Sequence, residues 1–338
     1  MEDPKKVIKP FYIFIPVTIG LSVVLWLFFR EFNPEIFANI QFSGQMAVGL
    51  FLAFLFMSGR DFGLIWRFRM MSDKILTWKQ AFKVNMLCEF TSAVTPSAVG
   101  GSALIVLFLN KEGINAAKST AIMMACLFMD ELFLVIACPI LLAIFPLDKL
   151  FGETTIITTG VKTLFFIVYG LITLWTLILY IALFRKPHWV QIILLKLFSG
   201  RFLRRWKPKV EIFTDNLVTS SKELGKRGKV FWAKTFGTTC LSWCSRYLVV
   251  NALLLAFTSS GDHFLAFARQ FVLWIIMLVS PTPGGSGVSE YMFSYYYADF
   301  VSIAGLALVI AFTWRIVTYY TYLIIGAIII PSWIKKFK

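Results

Sequence analysis

The sequence predicts an all-α, polytopic membrane helical bundle, with residues 1–338 forming a single integral membrane domain. Of the 338 residues, 58% are hydrophobic and only 15% are charged. The mean hydropathy is +0.76, and long apolar runs occur along the whole chain. A soluble domain with this composition would expose far too much apolar surface to water. These observations indicate an integral membrane protein before any motif is considered.

Hydropathy predicts about six full membrane spans. The first apolar run, 11–29, is longer than the apolar core of a secretory signal, and no small-residue cleavage site follows it. We therefore interpret this run as the first span. The other five spans are predicted at about 42–59, 117–145, 160–184, 230–258 and 302–330.

Two further apolar stretches, 80–109 and 264–298, are interrupted by proline and glycine. The first break is TPSAVGG at 95–101, and the second is PTPGGSG at 281–287. Non-helical backbone within a bilayer is tolerated where it is buried in protein or lines a water-filled cavity. We interpret both stretches as re-entrant helical hairpins. The alternative is that proline and glycine only kink two ordinary membrane helices.

The distribution of lysine and arginine predicts the orientation. The N-terminus, the loop after the second span, the region 185–229 and the C-terminal tail are basic, whereas 30–41 and 259–263 are not. All these loops obey the positive-inside rule only if each hairpin returns to the side it enters. The hairpin at 80–109 then enters from the cytoplasm and the one at 264–298 from outside, as in an inverted repeat, with both termini cytoplasmic.

Two basic regions between predicted spans are assigned to the cytoplasmic side by this rule. The loop after the second span contributes five basic residues: Arg60, Arg67, Arg69, Lys74 and Lys79. The region 185–229 is predicted to be either a solvated cytoplasmic loop or an amphipathic platform beside anionic head groups. No aromatic platform or zinc spacing accompanies this charge, so nucleic acid is not an expected partner.

Several ionisable residues lie inside the predicted membrane segments. A charge at the bilayer centre costs about 2.5–3.5 kcal/mol on the insertion scale. Such residues should therefore face a cavity, an interface or the interior, and simple pairing within the bundle is the alternative to a binding role. Adjacent helical residues point about 100° apart, so at most one of Asp130 and Glu131 should face a common site. The set is Glu89, Asp130, Glu131, Arg246, Arg269, Glu290 and Arg315.

We predict a polar site between the two breaks that binds the head group of an anionic or zwitterionic phospholipid. Arginine suits phosphate because its planar fork binds two oxygens. Half-helix N-termini offer free N–H donors to anions, and carboxylates would hold an amine or pair with the arginines. The predicted substrate-binding residues are Glu89, Thr95, Gly100, Gly101, Asp130, Arg246, Thr282, Gly284, Gly285, Glu290 and Arg315.

At these breaks the chain resembles the lysylphosphatidylglycerol synthase transmembrane-region family, the flippase half of MprF-type proteins and their stand-alone relatives. The residues that carry the resemblance are TPSAVGG at 95–101, continuing with LNKEGINAAKSTA, and PTPGGSGVSE at 281–290. The resemblance implies lipid translocation between leaflets of a bacterial or archaeal plasma membrane. Aminoacylated phosphatidylglycerol is the best-known substrate. One departure is Gly101, where many members carry an acidic residue.

The expected function is therefore transport, without a cofactor or a metal, rather than enzymatic catalysis. No nucleotide-binding motif is present, and the histidines and cysteines form no metal-binding pattern. No aminoacyl-transferase domain accompanies the membrane domain in this sequence, so we do not expect this chain to synthesise lysyl-lipid. Two alternatives stay open: a membrane-embedded transferase acting on a lipid or polyprenyl-linked substrate, and a transporter of a small anion.

Overall fold

The computed structural model confirms an all-α bundle with several membrane-spanning helices. It describes residues 42–94, 99–152, 156–200, 206–258, 261–280, 282, 285, 287–301 and 305–335. Within these ranges, five helices are long and apolar enough to cross a membrane. They correspond to the second to sixth predicted spans, whereas the first, 11–29, lies outside the described residues.

The helices are numbered here in chain order. They are α1 (Gly44–Met71), α2 (Trp78–Val94), α3 (Val99–Lys111), α4 (Ala116–Ile144), α5 (Leu147–Phe151), α6 (Ile156–Tyr180), α7 (Pro187–Leu197), α8 (Lys207–Gly225), α9 (Lys229–Phe257), α10 (His263–Met277), α11 (Val288–Tyr297), α12 (Leu306–Arg315) and α13 (Thr321–Lys335). Helix α6 continues into a π-helical turn, Ile181–Arg185, and a second π-helical turn, Ile316–Tyr320, joins α12 to α13.

Helix α1 extends beyond the predicted end of the second span. The placement of Arg60, Arg67 and Arg69 in a loop is wrong, because all three lie on α1. Hydropathy scores each arginine as if it faced water, but Arg60 and Arg67 are only 5% and 3% exposed. Their burial against carboxylates lets the helix continue.

Helices α1 and α9 pack closely in antiparallel orientation along a seam of small residues. A β-carbon built on Gly49 would lie 2.6 Å from the Ala256 β-carbon. A β-carbon on Gly63 would lie 2.8 Å from the carbonyl oxygen of Thr238. Small residues at a helix interface let the backbones approach. This approach fixes the height of the α1 arginines relative to Arg246 on α9.

Helices α2 and α3 form a helical hairpin (hairpin one) whose open ends lie side by side. The Gln80 side chain, near the start of α2, donates a 2.9 Å hydrogen bond to Glu112, which follows α3. Glu112 also accepts a 3.0 Å hydrogen bond from the indole N–H of Trp333. The helices have 17 and 13 residues, fewer than the roughly 20 residues that a span requires. Re-entry of this hairpin from the cytoplasm stays a prediction.

Helices α10 and α11 form a second hairpin (hairpin two) of the same kind. The amide of Gln270 donates a 2.9 Å hydrogen bond to the Tyr297 hydroxyl, which donates a 2.8 Å bond to the Ala266 carbonyl. Arg269 makes a bidentate contact with Asp299 at 2.6 and 2.8 Å and donates a 2.9 Å bond to the carbonyl of Lys149. Arg269 is 4% exposed, and its contacts hold the open end of the hairpin together.

The two hairpins open at opposite ends of the bundle. Hairpin one opens beside the start of α4, where Lys118 pairs with Asp73 at 2.9 Å. Hairpin two opens beside the end of α4, where the rings of Phe145 and Phe264 lie 5.1 Å apart. Helix α4 has 29 residues and so separates these ends by about 43 Å. Which end faces the cytoplasm stays a prediction.

The α1–α9 seam predicts a large difference between two identical glycine substitutions. Gly63→Ala should destabilise the protein by about 1–3 kcal/mol, because the new methyl group overlaps a backbone oxygen. Gly237→Ala, in α9, is the control, since a β-carbon there meets nothing within 4 Å. Thermal unfolding in detergent should show a lower Tm for Gly63→Ala only. Equal Tm values for both variants would contradict close packing at this seam.

Candidate functional site

A cavity of about 300 Å³, lined by charged and polar as well as apolar side chains, lies where the two hairpins meet α1, α4, α9, α12 and α13. Hairpin one contributes residues just before its break, including Glu89 and Ser92. Hairpin two contributes Thr282 and Gly285 within its break and Ser280 just before it. Residues close to both breaks therefore line one cavity.

Most of the residues predicted for the site lie at this cavity. Glu89, Asp130, Arg246, Thr282, Gly285 and Arg315 all line it. Gly100 and Gly101 lie in the first turn of α3. Glu290 is not part of the lining but contacts Arg315, which is. Thr95 and Gly284 lie outside the described residues.

Asp130 is held by a bidentate ion pair with Arg67. The two arginine nitrogens lie 2.6 and 2.8 Å from the carboxylate oxygens. The indole N–H of Trp243 donates a 2.9 Å hydrogen bond to the same carboxylate, and Arg67 donates a 3.0 Å bond to Thr239. The pair joins α1, α4 and α9, so Asp130 has a structural role that does not depend on a ligand.

Arg60 binds two carboxylates at once. Its guanidinium lies 2.9 Å from Asp61 and 2.6 Å from Glu89. Asp61 also accepts a 2.6 Å hydrogen bond from Tyr322 and a 3.3 Å bond from Asn85. Glu89 lines the cavity, and its only ion pair among the described residues is with Arg60. The trio carries one more negative than positive charge when both acids are ionised.

Glu290 caps the N-terminus of α11 and holds Arg315. Its carboxylate accepts a 2.6 Å hydrogen bond from the Gly287 backbone N–H and a 2.9 Å bond from the Ser289 hydroxyl. The Arg315 Nε atom lies 2.8 Å from the other oxygen, although its N–H is not aligned for a hydrogen bond. Glu290 and Arg315 are 3% and 5% exposed. The Glu290 carboxylate therefore occupies the Gly287 N–H at the start of α11, and this donor is not open to a ligand.

The second break requires glycine at two positions. Gly285 and Gly287 have φ angles of +72° and +85°, which L-residues with a side chain rarely adopt. A β-carbon on Gly285 would also lie 2.5 Å from the terminal methyl of Met277. The turn thus brings the backbone against α10 and directs Thr282 toward the cavity.

Arg246 differs from the other three cavity arginines. It lines the cavity, but it forms no ion pair with an acidic residue that the structure describes. Its guanidinium carbon lies 4.2 Å from the ring centre of Trp274 and 5.9 Å from that of Trp243. The residues of the two breaks that the structure does not describe, 95–98, 281, 283, 284 and 286, include no acid. Arg246 is therefore a cation held by aromatic faces within a cavity.

Sequence reasoning missed Arg60 and Arg67 as site residues. Both were counted as loop charges because the hydropathy window ended the second span at residue 59. The available signal was their spacing of seven residues, which places them on one helix face around Gly63. The cavity lining also includes polar residues that were not predicted, among them Asn85, Ser242, Gln270, Ser289, Thr318 and Tyr322.

Comparison with known proteins identifies one family that matches most of the chain. The family described as "Lysylphosphatidylglycerol synthase TM region" matches residues 13–326. The chain is also similar to a UPF0104 membrane protein from Archaeoglobus fulgidus, with 26% identity over 308 residues that cover 86% of this chain and 88% of that protein. No solved structure matches the chain.

The Arg67–Asp130 pair should be non-additive in a double-mutant cycle. Asp130→Leu or Arg67→Met alone should destabilise the protein by about 3–5 kcal/mol, because each leaves a buried charge without its partner. The double variant should be more stable than either single variant, since no charge is then left unpaired. The midpoint of thermal unfolding in detergent measures this order. Additive losses in the double variant would show that the two side chains do not depend on each other.

Proposed function

The chain belongs to the lysylphosphatidylglycerol synthase transmembrane-region family, and from this premise we propose that it moves the head group of a phospholipid, or a related lipid, between leaflets. The protein acts in this proposal as a transporter rather than as an enzyme. The head group crosses through the cavity between the two hairpins, while the acyl chains stay in the surrounding lipid. Hairpin one then opens toward the cytoplasm and hairpin two toward the outside.

The observation that carries the proposal is the unpaired arginine in the cavity. Arg246 has no carboxylate partner among the described residues, whereas Arg60 has two and Arg67 and Arg315 have one each. A cation without a direct ion-pair partner inside a membrane protein is costly. An entering phosphate would give Arg246 such a partner through a charge-assisted hydrogen bond. Arg246 is therefore the proposed phosphate anchor.

Glu89 and Glu290 differ in their capacity to bind an amine on the head group. Glu290 is enclosed by Gly287, Ser289 and Arg315, which leaves it little capacity for a ligand. Glu89 lines the cavity, and its side chain is 19% exposed. A head group with both a phosphate and an amine would place the phosphate at Arg246 and the amine toward Glu89. Aminoacylated phosphatidylglycerol is one member of this class.

Neutral polar side chains complete the route for the head group. Ser92, Ser242, Thr282 and Thr318 line the same cavity. Their hydroxyl groups both donate and accept hydrogen bonds, so they can replace water around a glycerol or phosphate moiety without holding it tightly. A transport site needs this property, because the ligand must leave as readily as it enters.

Substitution of Arg246 tests this function in liposomes. The purified protein is reconstituted with lipids that carry a fluorescent label and different head groups, and translocation is measured by quenching of the outer leaflet. Arg246→Gln should slow translocation about tenfold to a hundredfold, because a hydrogen bond to a charged group contributes about 1.5–3 kcal/mol.

Arg185→Gln is the matched control, since Arg185 is exposed at the end of the α6 span. It should translocate lipid at the rate of the parent protein. Equal rates for parent and Arg246→Gln would refute the anchor role. Failure of the parent protein to move any labelled lipid, combined with covalent turnover of an added lipid donor, would instead favour the transferase alternative.

A further inference from the structure

Helix α7 is a short amphipathic helix at the end of a membrane span. The π-helical turn at the end of α6 is followed by a sharp bend at Lys186, with φ −139° and ψ 63°, and α7 begins directly after this bend. Its 11 residues extend about 16 Å, roughly half the thickness of the hydrocarbon core. The helix therefore cannot span the membrane.

The polar face of α7 is attached to α8. The amide of Gln191 donates a 2.5 Å hydrogen bond to Asp215. The Nζ atom of Lys222 lies 3.0 Å from His188 Nε2, and His188 Nδ1 lies 3.2 Å from the Gln191 side-chain oxygen. These contacts fix the rotation of α7 about its own axis, so the orientation of its other face is defined.

The opposite face of α7 exposes a stripe of large apolar side chains. Trp189, Ile192, Ile193 and Leu197 are 50%, 59%, 64% and 58% exposed. Their spacing of i, i+3, i+4 and i+8 places them on one helix face. Contiguous apolar surface of this kind marks an interaction site.

Lysines lie on the same face as the apolar stripe. Lys196 is exposed and is four residues from Ile192, and Lys186 places its Nζ atom 4.5 Å from the Trp189 ring centre. The sequence then continues with Arg201, Arg204 and Arg205. Apolar residues combined with lysines are typical of helices that lie in the interface of an anionic leaflet, where lysine stems follow the apolar surface and the ammonium groups reach phosphate.

We propose that α7 binds the surface of an anionic phospholipid leaflet, with its apolar stripe at the acyl boundary and Lys186 and Lys196 at the level of the phosphates. The occupant of this face is lipid rather than a second copy of the chain, because a second copy would present the same lysines and repel them. This surface lies outside the transport cavity, and its binding to lipid does not depend on the proposed function.

Hydrogen–deuterium exchange of the full-length protein in nanodiscs tests the proposal. Residues 187–197 should exchange about tenfold more slowly in discs containing phosphatidylglycerol than in discs of phosphatidylcholine alone, since each lysine is attracted to anionic lipid. The double variant Lys186→Gln/Lys196→Gln should lose this difference. The matched control Lys207→Gln/Lys209→Gln removes two exposed lysines from α8 and should keep it.

Three outcomes would overturn the proposal. Exchange could be equal in the two kinds of disc, or the difference could persist in Lys186→Gln/Lys196→Gln. It could also appear only in discs that hold two protein copies, in which case a second chain covers the stripe. Thermal unfolding of each variant confirms that it is folded, and the readout is independent of whether the protein translocates lipid.

Discussion

The cost of an unpaired charge inside an apolar bundle is the constraint on which this structure depends. Arginines within a membrane domain need partners, and three of the four cavity arginines have them. Arg67 joins α1 to α4 through Asp130, Arg60 joins α1 to α2 through Glu89, and Arg315 joins α12 to α11 through Glu290. These pairs hold the helices around the cavity. Among the described residues they leave Arg246 as the cavity arginine without a direct ion pair, and the proposed function assigns the lipid phosphate to it.

Close packing of small residues gives these pairs their geometry. The glycines of α1 let its backbone approach α9, which brings Arg60 and Arg67 to the side of the cavity that Arg246 also lines. Glycine acts differently in the second break, where positive φ angles at Gly285 and Gly287 turn the chain and let Glu290 cap α11. The same residue type therefore supports close packing at one position and a sharp turn at another.

Composition and hydropathy were sufficient to predict the membrane class and the interrupted segments, because both depend on local residue types. The second break led directly to Thr282 and Gly285, and the charges inside the predicted spans led to Arg246 and Arg315, which line the same cavity. The ion pairs between helices could not be predicted in the same way. Arg67 and Asp130 are 63 positions apart, so no local sequence window links them. Without its partner, Arg67 looks like one of the basic residues of a cytoplasmic loop. Glu290 was expected to face a ligand, but it caps α11 from the position three residues after Gly287, a local spacing typical of helix N-termini, and it pairs with Arg315, which is remote in sequence.

A structure of the protein in nanodiscs with a bound phospholipid would test the central claim most directly. The account predicts a lipid phosphate within hydrogen-bonding distance of Arg246, with Arg67 still on Asp130 and Arg315 still on Glu290. It would be contradicted by a phosphate bound at Arg67 or Arg315 after either arginine has left its carboxylate. It would equally be contradicted by an Arg246 that is itself paired with an acidic side chain while the lipid lies elsewhere.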